Sequence, residues 1–222
     1  MSPKLSESRA GRLRDATVIA ILRMRAPEHA VEGASAAVRG GFEAVEVTMN
    51  TPGATDALSE IAGRVDAIVG AGTVLGADQV KEAYDAGAEF IVTPVVLPDV
   101  VEAAHGLQLP VILGASTPTE IFAARRAGAD WVKVFPAESL GGPSYISHVL
   151  GPLDDIPICC TGGLTAENYL GYLDAGAEIV GLAGALFDPT LAAAGRYEEF
   201  ERRSIEVHRR LDLYLTDREA GT

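Results

Sequence analysis

The stretch RAGADWVKVF, Arg126–Phe135, contains the pattern that decides the fold: a helix end, a glycine and an apolar strand. Gly128 stands where the helix should end, and glycine often supplies the left-handed cap that ends a helix. The residues after it are almost all apolar, as expected of a parallel strand that is covered on both faces. The stretch therefore predicts the junction of a helix with a buried strand.

The same junction occurs three more times along the chain, as RGGFE around Gly41 and DAGAE around Gly87 and Gly176. The spacings from Gly41 through Gly87 and Gly128 to Gly176 are 46, 41 and 48 residues, and each spacing has room for two strand–helix units. Four repeats therefore predict eight strands. Eight alternating units favour a closed (β/α)8 TIM barrel, with an open doubly wound α/β sheet as the alternative.

Apolar runs rich in Val and Ile stand at the positions that this count requires. The predicted strands are Thr17–Arg23, Ala44–Thr48, Ala67–Gly70, Phe90–Thr93, Pro110–Gly114, Trp131–Phe135, Ile156–Cys160 and Ile179–Leu182. Thr117 and Thr165 are suited to open two of the helices between them. We expect a further helix in the charged N-terminal residues 1–16, and a surface helix over Arg196–Thr222 that packs on the barrel. Residues 1–222 are thus predicted to form one domain.

Composition excludes several classes of protein. The 222 residues carry a net charge of −13, which argues against nucleic acid as a partner. No apolar run reaches the length of a membrane-spanning helix, and residues 1–16 lack the apolar core of a signal peptide. The only cysteines, Cys159 and Cys160, are adjacent, which excludes a disulfide framework and fits a reducing compartment. We therefore expect a cytoplasmic protein.

Polar residues recur where the chain leaves the predicted strands, and barrel enzymes hold their active sites at those strand ends. Reading those ends in chain order gives the candidates Arg23, Glu46, Thr73, Thr93–Pro94, Ser116, Lys133, Thr161, Gly162, Gly163 and Gly184. Lys133 lies within an apolar strand, where desolvation would make its amine nucleophilic. Its alternative is a strand-margin lysine whose ammonium reaches water. Glu46 is either a general acid/base or a structural ion-pair partner of Lys133 or Arg23.

Two glycine-rich segments, Gly70–Thr73 and Thr161–Gly163, each follow a predicted strand. Backbone N–H groups in such turns can hold a carboxylate or a phosphate; the alternative is that glycine serves there only to permit a tight turn. None of the four histidines lies at a strand end, and no metal-ligand spacing occurs. We therefore expect no metal.

These motifs, in this order, resemble the class I 2-keto-3-deoxy-6-phosphogluconate (KDPG) and 4-hydroxy-2-oxoglutarate (KHG) aldolases over about residues 17–190. The resemblance is carried by the segments Ile19–Arg23, Glu46–Thr48, Gly70–Leu75, Thr93–Pro94, Gly114–Thr117, Lys133–Ala137 and Thr161–Gly163.

The resemblance implies that Lys133 forms an imine with the keto carbon of the substrate and that Glu46 moves protons. It further implies that Thr73 holds the carboxylate, that Pro94 and Phe135 wall the pocket, and that the products are pyruvate and an aldehyde. A homotrimer is also implied. Because the imine on Lys133 is covalent, the resemblance implies no cofactor.

Two departures from the family pattern concern the substrate. Asn50 stands where the gluconate-type enzymes have an arginine, and Arg23 matches the arginine that the galactonate type uses instead, whereas Thr161 matches the gluconate type. Gly184 replaces a serine that binds phosphate in relatives. The reaction type is unaffected by these departures, but the identity of the keto acid stays open.

Two other functions are compatible with parts of the pattern. A phosphosugar isomerase or epimerase would use Glu46 and Gly162–Gly163 but leave Lys133 with only an electrostatic role. A non-catalytic keto-acid-binding module would be expected to lack Lys133.

Overall fold

The computed structural model describes residues 8–220, apart from the side chains of residues 219 and 220. Its eight strands are β1 (Val18–Leu22), β2 (Ala44–Thr48), β3 (Ile68–Gly72), β4 (Phe90–Val92), β5 (Val111–Ala115), β6 (Trp131–Val134), β7 (Ile158–Thr161) and β8 (Ile179–Leu182). Its helices are α1 (Arg9–Ala16), α2 (Pro27–Arg39), α3 (Ala54–Arg64), α4 (Ala77–Asp85), α5 (Pro98–Gly106), α6 (Pro118–Arg126), α7 (Gly142–Leu150), α8 (Tyr169–Asp174), α9 (Pro189–Ala193) and α10 (Tyr197–Ala220).

The strands form a closed parallel barrel in chain order, because β1 pairs with β8 through Val18 and Val180. The predicted (β/α)8 barrel is confirmed, and the open doubly wound sheet is wrong. The four repeat glycines have φ angles of 106°, 96°, 100° and 104°, which places each in the left-handed conformation expected after a helix. The repeat therefore counted the strand–helix units correctly.

The core has two layers that follow the alternation of side chains along the strands. One layer fills the barrel and includes Ile19, Phe90, Ile112 and Trp131, while the other lies between the strands and the surrounding helices. Leu13 of α1 belongs to the inner layer, so the N-terminal helix closes the barrel at the end opposite the carboxyl ends of the strands. Among the residues described, the barrel is therefore open only at the carboxyl ends of its strands.

Two local predictions are wrong. Gly72 lies inside β3 rather than in a turn, because the strand continues two residues beyond its predicted end at Gly70. Space requires both glycines, since a Cβ would lie 2.3 Å from the Phe90 ring at Gly70 and 1.7 Å from Glu46 Oε1 at Gly72. The helix predicted to open at Thr165 begins at Tyr169 instead. Residues 165–168 form a turn in which the Asn168 side chain accepts a hydrogen bond from the Thr165 backbone.

The C-terminal helix α10 packs on α2 rather than directly on the strands. A Cβ at Gly40 would lie 2.3 Å from Cβ of Ser204, so the end of α2 and helix α10 approach as closely as glycine allows. Residues 1–7 and 221–222 of the predicted terminal helices lie outside the described residues.

Candidate active site

A cavity of about 870 Å³ opens at the carboxyl ends of the strands. Almost all of the residues predicted from the sequence line it: Arg23, Glu46, Thr73, Pro94, Lys133, Phe135, Thr161, Gly162, Gly163 and Gly184. Asn50 lines it as well. The fold therefore collects in one place side chains that are separated by up to 161 positions in the chain.

Lys133 lies in the middle of β6, beside Gly114 of β5 and Cys159 of β7. Only 8% of the residue is exposed, and its Nζ atom lies 5.5 Å from the centre of the Phe135 ring. Burial lowers the pKa of the Lys133 amine, although the nearby Glu46 carboxylate acts in the opposite direction. A lowered pKa increases the fraction of neutral amine near pH 7, which is the nucleophilic form.

Glu46 occupies the centre of β2, where its side chain points into the barrel and 3% of the residue is exposed. Gly72 makes room for it, since a Cβ at that position would lie 1.7 Å from Glu46 Oε1. Burial raises the pKa of the Glu46 carboxyl, and the charges of Lys133 and Arg23 partly oppose that rise. A carboxyl with a raised pKa can both accept and return a proton near neutrality.

Glu46 and Lys133 influence each other's charge without touching. Within residues 8–220, no carboxylate oxygen lies within 4.0 Å of Lys133 Nζ, and the Glu46 carboxylate makes no hydrogen bond to another described group. Neither group is therefore consumed by a structural ion pair. Both are available to a small molecule that enters the cavity.

Two buried threonines, which the sequence analysis did not single out, fix the backbone on either side of Arg23. The Thr48 hydroxyl donates to the Leu22 carbonyl at 3.3 Å, and the Thr51 hydroxyl accepts from the Met24 N–H at 3.3 Å. Thr48 and Thr51 also contact each other. In the sequence, this role is visible only as two threonines that follow Glu46 closely. Threonine is common at strand ends, so the sequence alone does not predict that these two hydroxyls bind the backbone around Arg23.

Thr73 and Pro94 line the cavity, and both have unusual backbone surroundings. Thr73 has a φ of 57°, a left-handed conformation that is rare for a residue other than glycine and is often found at functional sites. A Cβ at Gly114 would lie 2.2 Å from the Pro94 backbone, so this glycine is what allows the Pro94 segment to sit against β5.

Ser116 is the predicted site residue that the structure does not bring into the cavity lining. Its hydroxyl donates to the Phe135 carbonyl at 2.8 Å, and its own carbonyl accepts from the Tyr145 hydroxyl at 2.8 Å. Because the hydroxyl is already engaged by the end of β6, Ser116 is placed to orient Phe135 rather than to contact a ligand.

Gly162 and Gly163 turn away from β7 with φ angles of 91° and 87°. Their backbone N–H groups donate to no other group within residues 8–220, so both remain free to bind an anion. The Asn168 amide donates to the Gly163 carbonyl at 3.2 Å, and Glu138 receives a second bond from the same amide at 3.3 Å. Asn168 and Glu138 thus position this turn, a role that only the three-dimensional structure reveals.

Gly184 follows β8, and a Cβ at this position would contact nothing within 4 Å. A larger side chain would therefore fit, and no steric requirement excludes a hydroxyl at this position.

Within residues 8–220, no group of three or more His, Cys, Asp or Glu is placed to hold a metal ion.

In this TIM barrel, a desolvated lysine and a glutamate line the cavity that opens where the strands end. This is the architecture of a barrel aldolase, a class of carbon–carbon lyase. The comparison with known proteins makes this specific. The sequence model described as "KDPG and KHG aldolase" matches residues 10–202, and the chain belongs to that family. It is accordingly a class I aldolase.

Individual relatives agree with the family assignment. The KHG/KDPG aldolase of Escherichia coli K12 is 36% identical over 192 residues, which cover 86% of this chain and 90% of the relative. The 2-dehydro-3-deoxy-6-phosphogalactonate aldolase of the same organism is 37% identical over 173 residues, covering 77% and 84%.

A KDPG aldolase from Legionella pneumophila, solved with pyruvate captured as a covalent carbinolamine, superposes with a TM-score of 0.82. It is 26% identical, and the match covers 90% of this chain and 98% of that one.

Proposed function

We propose that this aldolase cleaves a 2-keto-3-deoxy sugar acid, or 4-hydroxy-2-oxoglutarate, to pyruvate and an aldehyde through an imine on Lys133. The observation that carries the proposal is the buried Lys133 amine, whose lowered pKa and position opposite Glu46 suit it for attack on a carbonyl. The carbinolamine captured in the Legionella relative is the first intermediate of the same chemistry.

The steps follow from these two groups. The neutral Lys133 amine adds to the keto carbon C2, and the resulting carbinolamine loses water to form an iminium ion. Cleavage of the C3–C4 bond sends its electron pair into the iminium as the C4 hydroxyl gives up a proton to Glu46 and the aldehyde departs. The enamine is then protonated at C3, and water releases pyruvate and restores the amine. Because the iminium is itself the electron sink, the mechanism requires neither metal nor cofactor.

The carboxylate and the remote end of the substrate require other contacts. Arg23, exposed at the end of β1, and Thr73 face the same cavity and are proposed to hold the carboxylate. Thr161, Pro94 and Phe135 complete the lining around the keto carbon. The free N–H groups of Gly162 and Gly163 suit an anionic remote group, but Gly184 supplies no hydroxyl to it. We therefore include unphosphorylated acids among the substrates.

Borohydride trapping tests the imine. The protein would be reduced in the presence of pyruvate and digested, and the mass of the Lys133 peptide would be measured. We expect a pyruvyl adduct on Lys133 in the native protein and none in Lys133→Ala, while Lys81→Ala, which removes an exposed lysine paired with Asp85, should still be labelled. An unlabelled, folded native protein would refute the imine and favour the isomerase or binding-module alternatives.

We also propose that the protein acts as a cytoplasmic homotrimer of one-domain subunits. The side chains of Leu75, Val95 and Phe122 are large and apolar, and they lie on neighbouring units of the barrel. Each is about half exposed, which suits a subunit interface.

No helix within residues 8–220 is long and apolar enough to cross a membrane. Sedimentation equilibrium would test the trimer, with an expected mass three times that of the 23.2 kDa chain.

A further inference from the structure

Two arginines of the C-terminal helix reach the loops that form the rim of the cavity. Arg210 donates to the Ala166 carbonyl at 3.1 Å, and Arg203 donates to the Ala185 carbonyl at 3.4 Å. Ala185 lines the cavity, and Ala166 directly follows Thr165, which also lines it. The family match ends at residue 202, so both arginines lie just beyond it.

Each guanidinium is held by a carboxylate on its other edge. Glu199 accepts from Arg203 Nε at 3.3 Å, and Glu206 accepts from Arg210 Nε at 2.7 Å. Neighbouring guanidinium groups keep the pKa of both carboxyls at about 2, so the two are ionised at neutral pH. A planar guanidinium bound on one edge has its remaining N–H groups aimed in a fixed direction.

Helix α10 is itself held in place by buried residues, so that it can position the loops. Phe200, Ser204, Val207 and Leu211 are buried, and the Tyr169 hydroxyl donates to the Val207 carbonyl at 2.8 Å. Between this helix and the rim loops lies a cleft of about 360 Å³. At this cleft the two arginine hydrogen bonds link α10 directly to the loop carbonyls. They act together with the ring contact between Phe187 and Phe200, whose centroids are 5.2 Å apart, and with the bond from Asn168 to the Gly163 carbonyl. The arginine bonds therefore contribute to the position of the loops.

The rim loops and the reacting lysine are at different depths. Lys133 lies within β6, whereas residues 162–166 and 183–187 follow the ends of β7 and β8. A substrate whose keto carbon reaches Lys133 therefore places its remote end, which leaves as the aldehyde, against the rim loops. We propose that Arg203 and Arg210 are positioning residues that set the aldehyde end of the cavity and hence the choice of aldehyde. This inference rests on the proposed function.

The test compares Arg203→Gln and Arg210→Gln with Arg209→Gln in the full chain. Arg209 is the matched control, since it pairs with Glu206 from the same turn but bonds to no loop carbonyl. For the addition of pyruvate to glyceraldehyde 3-phosphate, losing one such hydrogen bond should raise the aldehyde KM about threefold to tenfold in the two loop-contacting variants. The pyruvate KM and the rate of borohydride trapping should stay at the native values.

Hydrogen exchange followed by mass spectrometry supplies a readout that needs no activity. The hydrogen-bonded amides of residues 165–169 should exchange faster in Arg210→Gln, and those of 183–187 in Arg203→Gln, with α10 unchanged. The proposal is overturned if both variants match Arg209→Gln in aldehyde KM and in loop exchange, or if α10 loosens as much as the loops. If the native protein traps no pyruvate, the proposed function fails, and the exchange data alone decide whether the arginines hold the loops.

Discussion

Glu46 and Lys133 are opposed ionisable groups in one largely buried cavity, and their protonation is coupled. Burial favours the neutral form of each, while the charge of one favours the charged form of the other. A change at Glu46 should therefore alter proton transfer and also shift the pKa of Lys133. Those two effects can be measured separately.

Glu46→Gln should lower kcat by roughly a hundredfold or more, because positioned acid–base groups commonly contribute factors of that order. Removing the carboxylate also removes the interaction that raises the pKa of Lys133, so that pKa should fall further. The pH at which borohydride trapping of pyruvate reaches half its maximal rate should consequently move to lower values. Stopped-flow trapping across a pH series would measure this shift, and a profile identical to that of the native protein would show that Glu46 does not act on the amine.

Gly184 lines the cavity at the position where we propose that the remote group of the substrate is bound. Gly184→Ser places a hydroxyl in open space after β8, in the cavity that Gly162 and Gly163 also line. One added hydrogen bond to a charged group should lower the KM for a phosphorylated keto acid roughly tenfold. The KM for 4-hydroxy-2-oxoglutarate should change little.

The matched control for this serine is Gly106→Ser, because Gly106 also has open space around it and lies outside the cavity lining. Steady-state kinetics on both substrates would compare the variants. An equal effect on the two substrates would mean that the residue after β8 does not contact the remote group.

At the scale of elements, the sequence predicted the strands well because parallel barrel strands are continuous apolar runs. The predicted bounds of β2 and β8 are those observed, and other strands differ by one or two residues at their ends. The continuation of β3 to Gly72 was missed because the reason for its glycines is tertiary, namely space for the side chains of Phe90 and Glu46. The loop contacts of Arg203 and Arg210 were invisible for the same reason, since their partners lie 18 and 44 positions away.

The contact between α2 and α10 makes a prediction about Gly40. In Gly40→Ala the new methyl would lie 2.3 Å from Ser204 Cβ and 2.9 Å from the Glu201 carbonyl oxygen. Since the second neighbour is backbone, α10 must shift, and the free energy of unfolding should fall by about 1–3 kcal/mol.

Gly63→Ala in α3 is the control for this change, because nothing lies within 4 Å of the added methyl. It should raise the free energy of unfolding by about 0.5–1 kcal/mol, the usual gain when alanine replaces glycine in a helix. Urea unfolding of both variants would measure the difference. A Gly40→Ala protein as stable as the native one would contradict the close packing of α10 on α2.

At the scale of the whole molecule, the barrel divides its tasks between its ends and its side. The inner core and α1 close one end, the cavity occupies the other, and α10 lies against the side with contacts to the rim loops. The stability of the α10 contact is thus coupled to the shape of the cavity. A partly buried ionisable group in that contact should make the coupling depend on pH.

His208 is that group. Its Nδ1 is a buried nitrogen with no hydrogen-bond partner among the described residues, and its ring packs edge-on against Phe42 with centroids 5.0 Å apart. Burial lowers the pKa of His208, while Asp212 and Glu43 act in the opposite direction. A histidine whose pKa is lower in the folded state takes up more protons when unfolded. It therefore stabilises the fold above its unfolded pKa of about 6.5, and that contribution is lost as the pH falls toward the folded pKa.

The melting temperature of the native protein should therefore fall more between about pH 7.5 and pH 5.5 than that of His208→Gln, because glutamine cannot be protonated there. Melting followed by circular dichroism would measure both, with His148→Gln on α7 as an exposed control whose pH response should match that of the native protein. Equal losses in native protein and in His208→Gln would mean that His208 does not couple the docking of α10 to pH.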